Sequence, residues 1–287
     1  MSKELDFKAE IVGVYGTPIS DNPTGVMFEF AFKSLDINWR YLTLEVSEQN
    51  LKNAIDAIRA LNFKGVNLTI PHKVAAMKYL DRISPDAEVI GAVNTIRHKN
   101  GKLIGENTDG KGFLKSLIDN GKVSPKNQNI VVLGAGGAAR AITTELALAG
   151  AKQITVVNRT VTRGEELVDR LNKYTKTQAV FSHWHPNYAI PSDTTILVQA
   201  TSIGLYPNIY EYPQINYESL KSSTVVCDVI PNPPNTKFLI KAKKRGCHTL
   251  DGLGMLVNQG VIAFEMWTGH EAPRSVMHEA LTKVFKV

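Results

Sequence analysis

The chain has 287 residues, 43% of them hydrophobic and 21% charged, so it is long enough for two folded domains and too apolar to be a disordered segment. Its only cysteines, Cys227 and Cys247, exclude a disulfide framework and a zinc site built from several cysteines, and they favour a reducing, cytoplasmic location. The net charge of +6 favours a small anionic ligand over nucleic acid, because no groove-reading motif accompanies it.

The N-terminus is expected to carry no secretory signal, because residues 1–10 lack an apolar core. No run of about 18 apolar residues predicts a membrane span. We therefore expect neither a membrane nor a nucleic acid as partner, and a homodimer is left open.

The first half of the chain alternates strands and helices. Apolar patterning predicts a strand over 11–15, a helix over 26–35, a strand over 39–46, a helix over 51–61 and a strand that stops at Pro71. This order predicts a parallel sheet between helices. Further on, two apolar segments flank the pair Asn100-Gly101, which predicts a β-hairpin.

The second half repeats the alternation and predicts a second, doubly wound domain. Its strands are predicted over 129–133, 153–157, 194–199 and 224–230, and its helices over 138–148, 162–174 and 237–245. Two further helices are predicted over 257–267 and 274–287. The fold class is therefore α/β, with two domains.

A glycine-rich segment follows the strand over 129–133 and opens the next helix. Gly134 to Ala139 satisfy the pattern G-x-G-x-x-G/A, with alanine in the last position. Such a turn lets the backbone approach a pyrophosphate and directs helix N-terminal amides at the anion. A glycine turn made only for close helix–strand packing is the alternative.

The end of the following strand indicates which dinucleotide the domain prefers. An NAD-specific domain places Asp or Glu there, whereas this chain has Asn158-Arg159-Thr160 and then Arg163. Two guanidinium groups at i and i+4 share one helix face and suit a 2′-phosphate, so NADP is the predicted cofactor. A solvated arginine pair is the alternative.

Polar residues interrupt the apolar pattern in the first half. Asn67 and Thr69 lie two apart on one predicted strand, so they share a face, and Lys73 follows where the strand has stopped. Polar groups on one face of a buried strand are typical of a strand that lines a solvent-filled site. Asp109 is read from the sequence alone as a helix N-cap or a turn residue. His183 and His185 form an H-x-H pair without a third ligand, which favours a surface pair over a metal site.

Seven motifs occur in an order that resembles the shikimate dehydrogenase family, including its quinate/shikimate relatives. They are GVNLTIPHK, GAVNT, GENTDG, LGAGGAARA, NRTVTR, ATSIGL and DGLGMLVNQG. The resemblance implies a substrate-binding domain over 1–109, to which 256–287 return, and a Rossmann NADP-binding domain over 110–255. It also implies reversible NADPH-dependent reduction of 3-dehydroshikimate to shikimate, a step towards aromatic amino acids.

The resemblance also implies roles for individual residues. Lys73 would be the acid/base residue and Asp109 its partner. The expected substrate ligands are Asn22, Thr24, Asn67, Thr69, Asn94 and Gln259. The expected cofactor ligands are Gly134, Ala135, Gly136, Gly137 and Ala138 at the pyrophosphate, Asn158, Arg159, Thr160 and Arg163 at the 2′-phosphate, and Thr201, Val229 and Gly252 on the nicotinamide side. No metal is expected.

The chain departs from the family pattern at two places, both on the substrate side. Asn22 and Thr24 stand where the family usually has two serines that hold the substrate carboxylate, and Pro231 stands where it usually has a tyrosine. Reaction type is therefore better supported than substrate identity. Quinate or another cyclic hydroxy acid remains an alternative substrate, and a non-catalytic NADP-binding regulator is disfavoured by the retention of Lys73 and Asp109.

Overall fold

The computed structural model describes residues 7–286. Residues 1–6, part of the segment expected to carry no signal peptide, and residue 287, the end of the helix predicted over 274–287, lie outside the described residues. The strands are β1 (Glu10–Gly16), β2 (Trp39–Glu45), β3 (Gly65–Leu68), β4 (Arg82–Ile83), β5 (Thr95–Lys99), β6 (Lys102–Glu106), β7 (Asn129–Leu133), β8 (Gln153–Asn158), β9 (Gln178–His183), β10 (Tyr188–Ala189), β11 (Ile196–Gln199), β12 (Ile215–Asn216), β13 (Val225–Asp228) and β14 (His248–Leu250).

The α-helices are α1 (Thr24–Ser34), α2 (Leu51–Ala60), α3 (His72–Ala75), α4 (Pro85–Ile90), α5 (Asp109–Asp119), α6 (Gly137–Leu148), α7 (Val161–Tyr174), α8 (Lys237–Lys244), α9 (Leu253–Thr268) and α10 (Arg274–Phe285). None of the helices in the described part of the chain is long and apolar enough to span a membrane.

The described chain divides into two compact units. The first comprises residues 7–84, 93–106 and 260–284, and the second comprises 85–92, 107–259 and 285–286. The predicted α/β fold class is confirmed.

The first unit contains a six-stranded sheet in the order β2-β1-β3-β5-β6-β4. The parallel arrangement predicted for the first three strands is confirmed for β1, β2 and β3. β5 and β6 pair antiparallel as the predicted hairpin requires, because Asn100 and Gly101 have φ values of 52° and 72°, which reverse the chain between them. β5 also pairs antiparallel with β3, a pairing that the sequence patterning does not predict.

Helices cover the sheet of the first unit on its apolar faces. Ile55 and Ile58 of α2 are fully buried against one face, together with Val66. The same unit contains an aromatic cluster in which the ring of Phe28 on α1 contacts the rings of Phe264 and Trp267 on α9. The indole nitrogen of Trp267 donates to the carbonyl of Ile96 at 3.0 Å, so the end of α9 belongs to this unit.

The second unit has a six-stranded sheet in the order β14-β13-β11-β7-β8-β9, and every pairing in it is parallel. This is the doubly wound order predicted from the sequence. β7 lies between β8 and β11, so the strand order reverses there and a crevice opens outside the carboxyl ends of β7 and β11. In open α/β sheets, ligands bind at such a switch point.

The compact units depart from the predicted domain boundaries at 109 and 255. Residues 85–92 belong to the second unit, where Ile90 and Ala92 form a buried cluster with Ala141 of α6. Residues 107–109 also belong there, because α5 begins at Asp109 and runs so close to α6 that a Cβ on Gly110 would collide with the carbonyl of Ala141. The assignment of substrate binding and NADP binding to the two domains stays a prediction.

Candidate functional site

The glycine-rich turn of the second unit stands at the switch point between β7 and α6. Gly134 has φ of +112°, and a Cβ there would lie 2.9 Å from Cγ2 of Thr201 and 3.0 Å from the carbonyl oxygen of Ala200. Gly136 precedes the first residue of α6, and no atom lies within 4 Å of a Cβ built on it. Gly134 is therefore needed for the turn and its packing, whereas Gly136 leaves the space beside the helix N-terminus open for an anion.

Arg159 directly follows the carboxyl end of β8, the position at which dinucleotide specificity is set, and Arg163 lies in the first turn of α7. Arg159 precedes the N-cap Thr160, so the prediction that both arginines share one helix face is wrong. Asn158 ends β8, and its side-chain amide donates to the carbonyl of Thr160 at 2.8 Å, which shapes the turn into α7. Arg159 and Arg163 are exposed, and among residues 7–286 neither guanidinium forms an ion pair. The turn thus presents two positive charges without protein counter-charges, as a phosphate site requires.

A cavity of about 480 Å³ adjoins Arg159 in the same unit. Aromatic side chains line it on several sides, among them Trp184, Tyr210 and Tyr212. The indole nitrogen of Trp184 donates to the carbonyl of Gln214 at 3.3 Å, which holds the ring in the wall. The cavity combines a cationic edge with flat apolar walls, a combination that suits an aromatic ring joined to a phosphate.

The predicted nicotinamide-side residues lie at the ends of neighbouring strands. A Cβ on Gly252 would stand 2.5 Å from the carbonyl group of Val229, so these two backbones touch. The backbone N–H and the hydroxyl of Thr201 both donate to Oε1 of Gln199, at 2.5 and 2.7 Å. Thr201 is therefore anchored to the end of β11 and packs on Gly134.

Asp228, the last residue of β13, stabilises the same edge of the sheet through hydrogen bonds. Its carboxylate accepts from Nε2 of Gln199 at 3.4 Å, from the backbone N–H of Ile230 at 3.0 Å and from the hydroxyl of Thr236 at 2.7 Å. Burial raises the pKa of Asp228 from its usual value to about 7, against the opposing effect of these donors. Neither Gln199 nor Asp228 was singled out by sequence reasoning, because each ends an otherwise apolar strand.

In the first unit, three predicted substrate residues, Asn67, Thr69 and Asn94, lie at the carboxyl-terminal part of β3 and beside it. Asn67 is buried on β3, and its amide bonds to the side chains of Tyr41 and Thr95. Thr69 lies just past the end of β3, and its backbone N–H donates to the carbonyl of Tyr15 at 3.0 Å. Asn94 is buried beside this strand, and its Oδ1 accepts from the hydroxyl of Thr95 at 3.1 Å.

Lys73 lies on α3, which starts directly after the end of β3. The side chain is half-buried, and its backbone carbonyl accepts from the N–H of Val93 at 2.8 Å. The preceding His72 is fully buried, and its Nε2 bonds to the carbonyl of Val46 at 2.7 Å. His72 therefore fixes the short helix that carries Lys73 and is itself kept from solvent.

Asn22 and Thr24 lie at the start of α1. Oδ1 of Asn22 accepts a hydrogen bond from the backbone N–H of Thr24 at 3.0 Å. Thr24 is the first residue of the helix and is buried. Neither the amide nitrogen of Asn22 nor the hydroxyl of Thr24 has a hydrogen-bond partner among the described residues. Two donors of the kind a carboxylate needs are thus available at this turn.

Asp109 and Gln259 both belong to the second unit. Asp109 is buried as the first residue of α5, and its backbone N–H donates to Oδ1 of Asn107 at 3.1 Å. Thr108, not Asp109, occupies the N-cap position, so the N-cap interpretation of Asp109 is wrong. Gln259 is buried on α9, and a Cβ on Gly112 of α5 would stand 2.7 Å from its backbone nitrogen. Gln259 is therefore shielded from solvent.

The described residues hold no group of three or more His, Cys, Asp or Glu side chains placed to bind a metal ion. His183 ends β9, and Nδ1 of His185 bonds to the carbonyl of Pro186 at 3.1 Å.

Three family models match the chain. They describe a shikimate dehydrogenase substrate-binding domain at residues 14–96, a shikimate/quinate 5-dehydrogenase at residues 117–202 and a shikimate 5′-dehydrogenase C-terminal domain at residues 252–282. The NADP⁺-dependent shikimate dehydrogenase of Desulforamulus reducens is 42% identical over 281 residues, which is 97% of each chain. The chain belongs to the shikimate dehydrogenase family.

Solved structures of this family share the fold over nearly the full length of the chain. A shikimate dehydrogenase in complex with NADP⁺ is 40% identical, with a TM-score of 0.92 over 98% of this chain and 97% of the other. A 5-ketofructose reductase of a Gluconobacter species, in its ligand-free form, is 46% identical, with the same TM-score over 98% of this chain and 100% of the other. Proteins named for different activities are thus similar to this chain to a comparable degree.

Proposed function

We propose that this family member is an NADP-dependent dehydrogenase that reversibly reduces 3-dehydroshikimate to shikimate in the synthesis of aromatic amino acids. The match of about 40% identity over nearly the whole chain to NADP⁺-dependent shikimate dehydrogenases carries the proposal. Such a match spans the substrate-side residues of the first unit as well as the dinucleotide fold of the second.

Lys73 and Asp109 are the proposed acid/base pair. A lysine side chain is ordinarily an ammonium at neutral pH, so Lys73 can donate a proton to the oxygen of a ketone that is being reduced. The carboxylate of Asp109 would stabilise and orient that ammonium. In the oxidising direction the same pair would take up the proton that the alcohol releases.

The residues of the second unit fit NADP. The amides after Gly134 and Gly136 would hold the pyrophosphate, and Arg159 and Arg163 the 2′-phosphate. We assign the aromatic cavity beside Arg159 to the adenine ring. When bound, NADPH supplies the hydride for the ketone. Thr201, Val229 and Gly252 would set the position of the reacting ring.

On the substrate side, Asn22 and Thr24 are proposed to hold the carboxylate, while Asn67, Thr69, Asn94 and Gln259 hold hydroxyls. The N–H of Thr24 can only donate, so it fixes which end of the Asn22 amide is the oxygen. The amide nitrogen is left to donate to an anion, which compensates for the serine that the family usually has. This arrangement supports a carboxylate-bearing substrate.

A second candidate substrate is a neutral polyhydroxy ketone of the 5-ketofructose type. The 46% identity to a 5-ketofructose reductase favours it, together with the loss of the family's serines and tyrosine at Asn22, Thr24 and Pro231. Quinate remains the cyclic-acid alternative. All three substrates would use the same proton donor and the same nucleotide site.

We also propose a cytoplasmic location, supported by the free thiols of Cys227 and Cys247, both of which are buried. A homodimer stays a prediction that the mass of the protein in solution would test.

The proposed activity is tested by following NADPH absorbance with purified protein, NADP⁺ and either shikimate, quinate or buffer alone. We expect a substrate-dependent rate with shikimate that exceeds the rate with quinate. Absence of a rate with shikimate at millimolar concentration, in protein shown to bind NADP⁺, would overturn the proposed substrate. Failure to bind NADP⁺ in folded protein would overturn the reaction class as well.

A further inference from the structure

A chain of hydrogen bonds joins side chains from β2, β3 and β5 of the first unit and includes two predicted substrate residues, Asn67 and Asn94. The hydroxyl of Tyr41, on β2, donates to Oδ1 of Asn67, on β3, at 2.8 Å. Nδ2 of Asn67 donates to the hydroxyl of Thr95, on β5, at 3.0 Å, and that hydroxyl donates to Oδ1 of Asn94 at 3.1 Å. The exposed fractions of these four side chains do not exceed 6%, so protein groups supply these bonds in place of water.

The backbone carbonyl of Asn94 determines which end of the Asn67 amide is the oxygen, because the Tyr41 and Thr95 hydroxyls can each donate or accept. The backbone carbonyl of Asn94 lies 3.4 Å from Nδ2, and a carbonyl can only accept. If the amide were turned over, two oxygens would face each other at that point. Burial raises the pKa of Tyr41 well above its usual value, so its hydroxyl keeps its proton and serves as the donor at the other end.

The same contacts determine what Asn67 can offer a ligand. Both hydrogens of Nδ2 are directed at protein acceptors, Thr95 and the carbonyl of Asn94. One lone pair of Oδ1 is occupied by Tyr41, and an amide oxygen has a second. Asn67 is consequently an acceptor towards the substrate and cannot turn into a donor without breaking buried bonds.

We propose that Tyr41 is a specificity-determining residue, which holds Asn67 as an acceptor so that the site takes a substrate hydroxyl at this point and rejects a carbonyl or carboxylate oxygen. The proposal rests on the proposed function in one respect: Asn67 must face the substrate. It does not depend on which of the candidate substrates is correct, since each of them carries several hydroxyls.

The consequence concerns which carbon of the substrate is reduced. A hydroxy ketone carries hydroxyls, which can donate a hydrogen bond, and one ketone oxygen, which can only accept one. A ketone oxygen opposite the oxygen of Asn67 would leave two acceptors facing each other in a buried site, and such mismatches are strongly rejected. The fixed amide therefore excludes positional isomers whose ketone lies at the carbon that faces Asn67.

The test compares Tyr41→Phe with the matched control Tyr15→Phe. Tyr15 is also buried on the sheet of this unit, and its hydroxyl donates to the carbonyl of Ala54 at 3.1 Å, away from Asn67. Phenylalanine at position 41 keeps the ring that stacks on Phe28 at 4.6 Å. Michaelis constants and kcat are measured for shikimate and for analogues that each lack one ring hydroxyl, with NADP⁺ saturating.

We expect Tyr41→Phe to raise the KM for shikimate roughly three- to tenfold, with kcat changed less. One analogue lacks the hydroxyl that faces Asn67. Its loss of kcat/KM relative to shikimate should be much smaller in Tyr41→Phe than in the wild type, because the variant already binds that hydroxyl weakly. Tyr15→Phe should show the wild-type pattern for every analogue, even if its thermal midpoint falls.

The proposal would be overturned if each analogue lost the same factor in kcat/KM, relative to shikimate, in Tyr41→Phe as in the wild type. It would also be overturned if Tyr15→Phe showed the same selective change as Tyr41→Phe. If Tyr41→Phe does not fold, Thr95→Val, which removes the acceptor for Nδ2, must show the selective loss and Thr95→Ser must restore the wild-type pattern. If shikimate is not a substrate, the proposed function fails, and the same series is run with hydroxyl-deleted forms of 5-ketofructose, which tests Tyr41 separately.

Discussion

Asn22 accepts a hydrogen bond through Oδ1 from the backbone N–H of Thr24 at 3.0 Å, and this contact gives the turn before α1 its polarity. The acceptor end of the amide is engaged within the protein, so the nitrogen is the end that can face a ligand. A turn of this kind offers donors to an anion even though serine is absent from both positions.

Asn22→Asp tests this polarity. Aspartate keeps the oxygen that accepts from Thr24 but replaces the donating nitrogen with a second, negatively charged oxygen. We expect kcat/KM for shikimate to fall roughly 10- to 100-fold or more, since a charge-assisted hydrogen bond is worth about 1.5–3 kcal/mol. Asn22→Ser, which retains a donor, is the control and should retain most of the activity. Equal effects of the two changes would show that Asn22 does not bind a carboxylate.

Arg159→Ala should erode the preference for NADP over NAD. The lost charge-assisted bonds to a 2′-phosphate correspond to about 1.5–3 kcal/mol, and NAD lacks that phosphate. Dissociation constants for both nucleotides measure the effect, and the constant for NAD should change little. Lys244→Ala removes one positive charge from an exposed position on α8 and serves as the control for net charge. A parallel loss of affinity for NAD and NADP would assign Arg159 to another part of the nucleotide.

The glycine turn and the arginine pair could be predicted from sequence because both are local: an apolar strand, a turn and a helix follow one another within about a dozen residues. The hairpin at Asn100 was predictable for the same reason. The edge strands β9 and β14 were not predicted, because β9 carries polar residues and β14 has only three residues. Residues 248–250 form a strand only through pairing with β13.

The supporting residues of the site were not predictable for a different reason. Tyr41 meets Asn67 across 26 residues of sequence, and Gln199 meets Asp228 across 29. Gln199 and Asp228 face each other through the register of the paired strands β11 and β13, whereas Tyr41 on β2 reaches Asn67 on β3 across β1. Hydrophobic patterning specifies neither the register nor the strand order. In the sequence Tyr41 is one more apolar position of an alternating strand.

Asp228→Asn should change how stability depends on pH. Burial raises the folded pKa of Asp228 to about 7, above its unfolded value of 3.8, so the folded state holds the proton more tightly. The resulting stabilisation is fully present below the unfolded pKa and is lost as pH rises through the folded pKa, up to about 4 kcal/mol for this group. Urea midpoints at pH 5 and pH 8 should therefore differ less in Asp228→Asn than in the wild type.

Glu145 is the comparison for this effect, because burial also raises its pKa. Glu145→Gln should remove a separate part of the pH dependence, so the double variant should show the smallest change between the two pH values. An unchanged pH dependence in Asp228→Asn would mean that the carboxylate stays ionised across this range.

Lys73→Ala should lower kcat in the direction of ketone reduction by about 10²–10⁴-fold, the usual contribution of a general acid. The dissociation constant for NADPH should stay near the wild-type value, because Lys73 is assigned to the substrate and not to the nucleotide. Lys78→Ala, an exposed lysine on the turn that follows α3, is the matched control and should keep normal turnover. Near-normal turnover in Lys73→Ala would remove it from the chemistry.

The proposed substrate, a carboxylate-bearing ring reduced by NADPH, is tested by the ratio of two wild-type kcat/KM values measured in one preparation. The two values are those for the NADPH-dependent reduction of 3-dehydroshikimate and of 5-ketofructose. We expect a ratio well above one, because Asn22 and Thr24 offer donors that only a carboxylate uses fully. A ratio well below one would overturn the proposed substrate and would make the neutral ketose the substrate of this site.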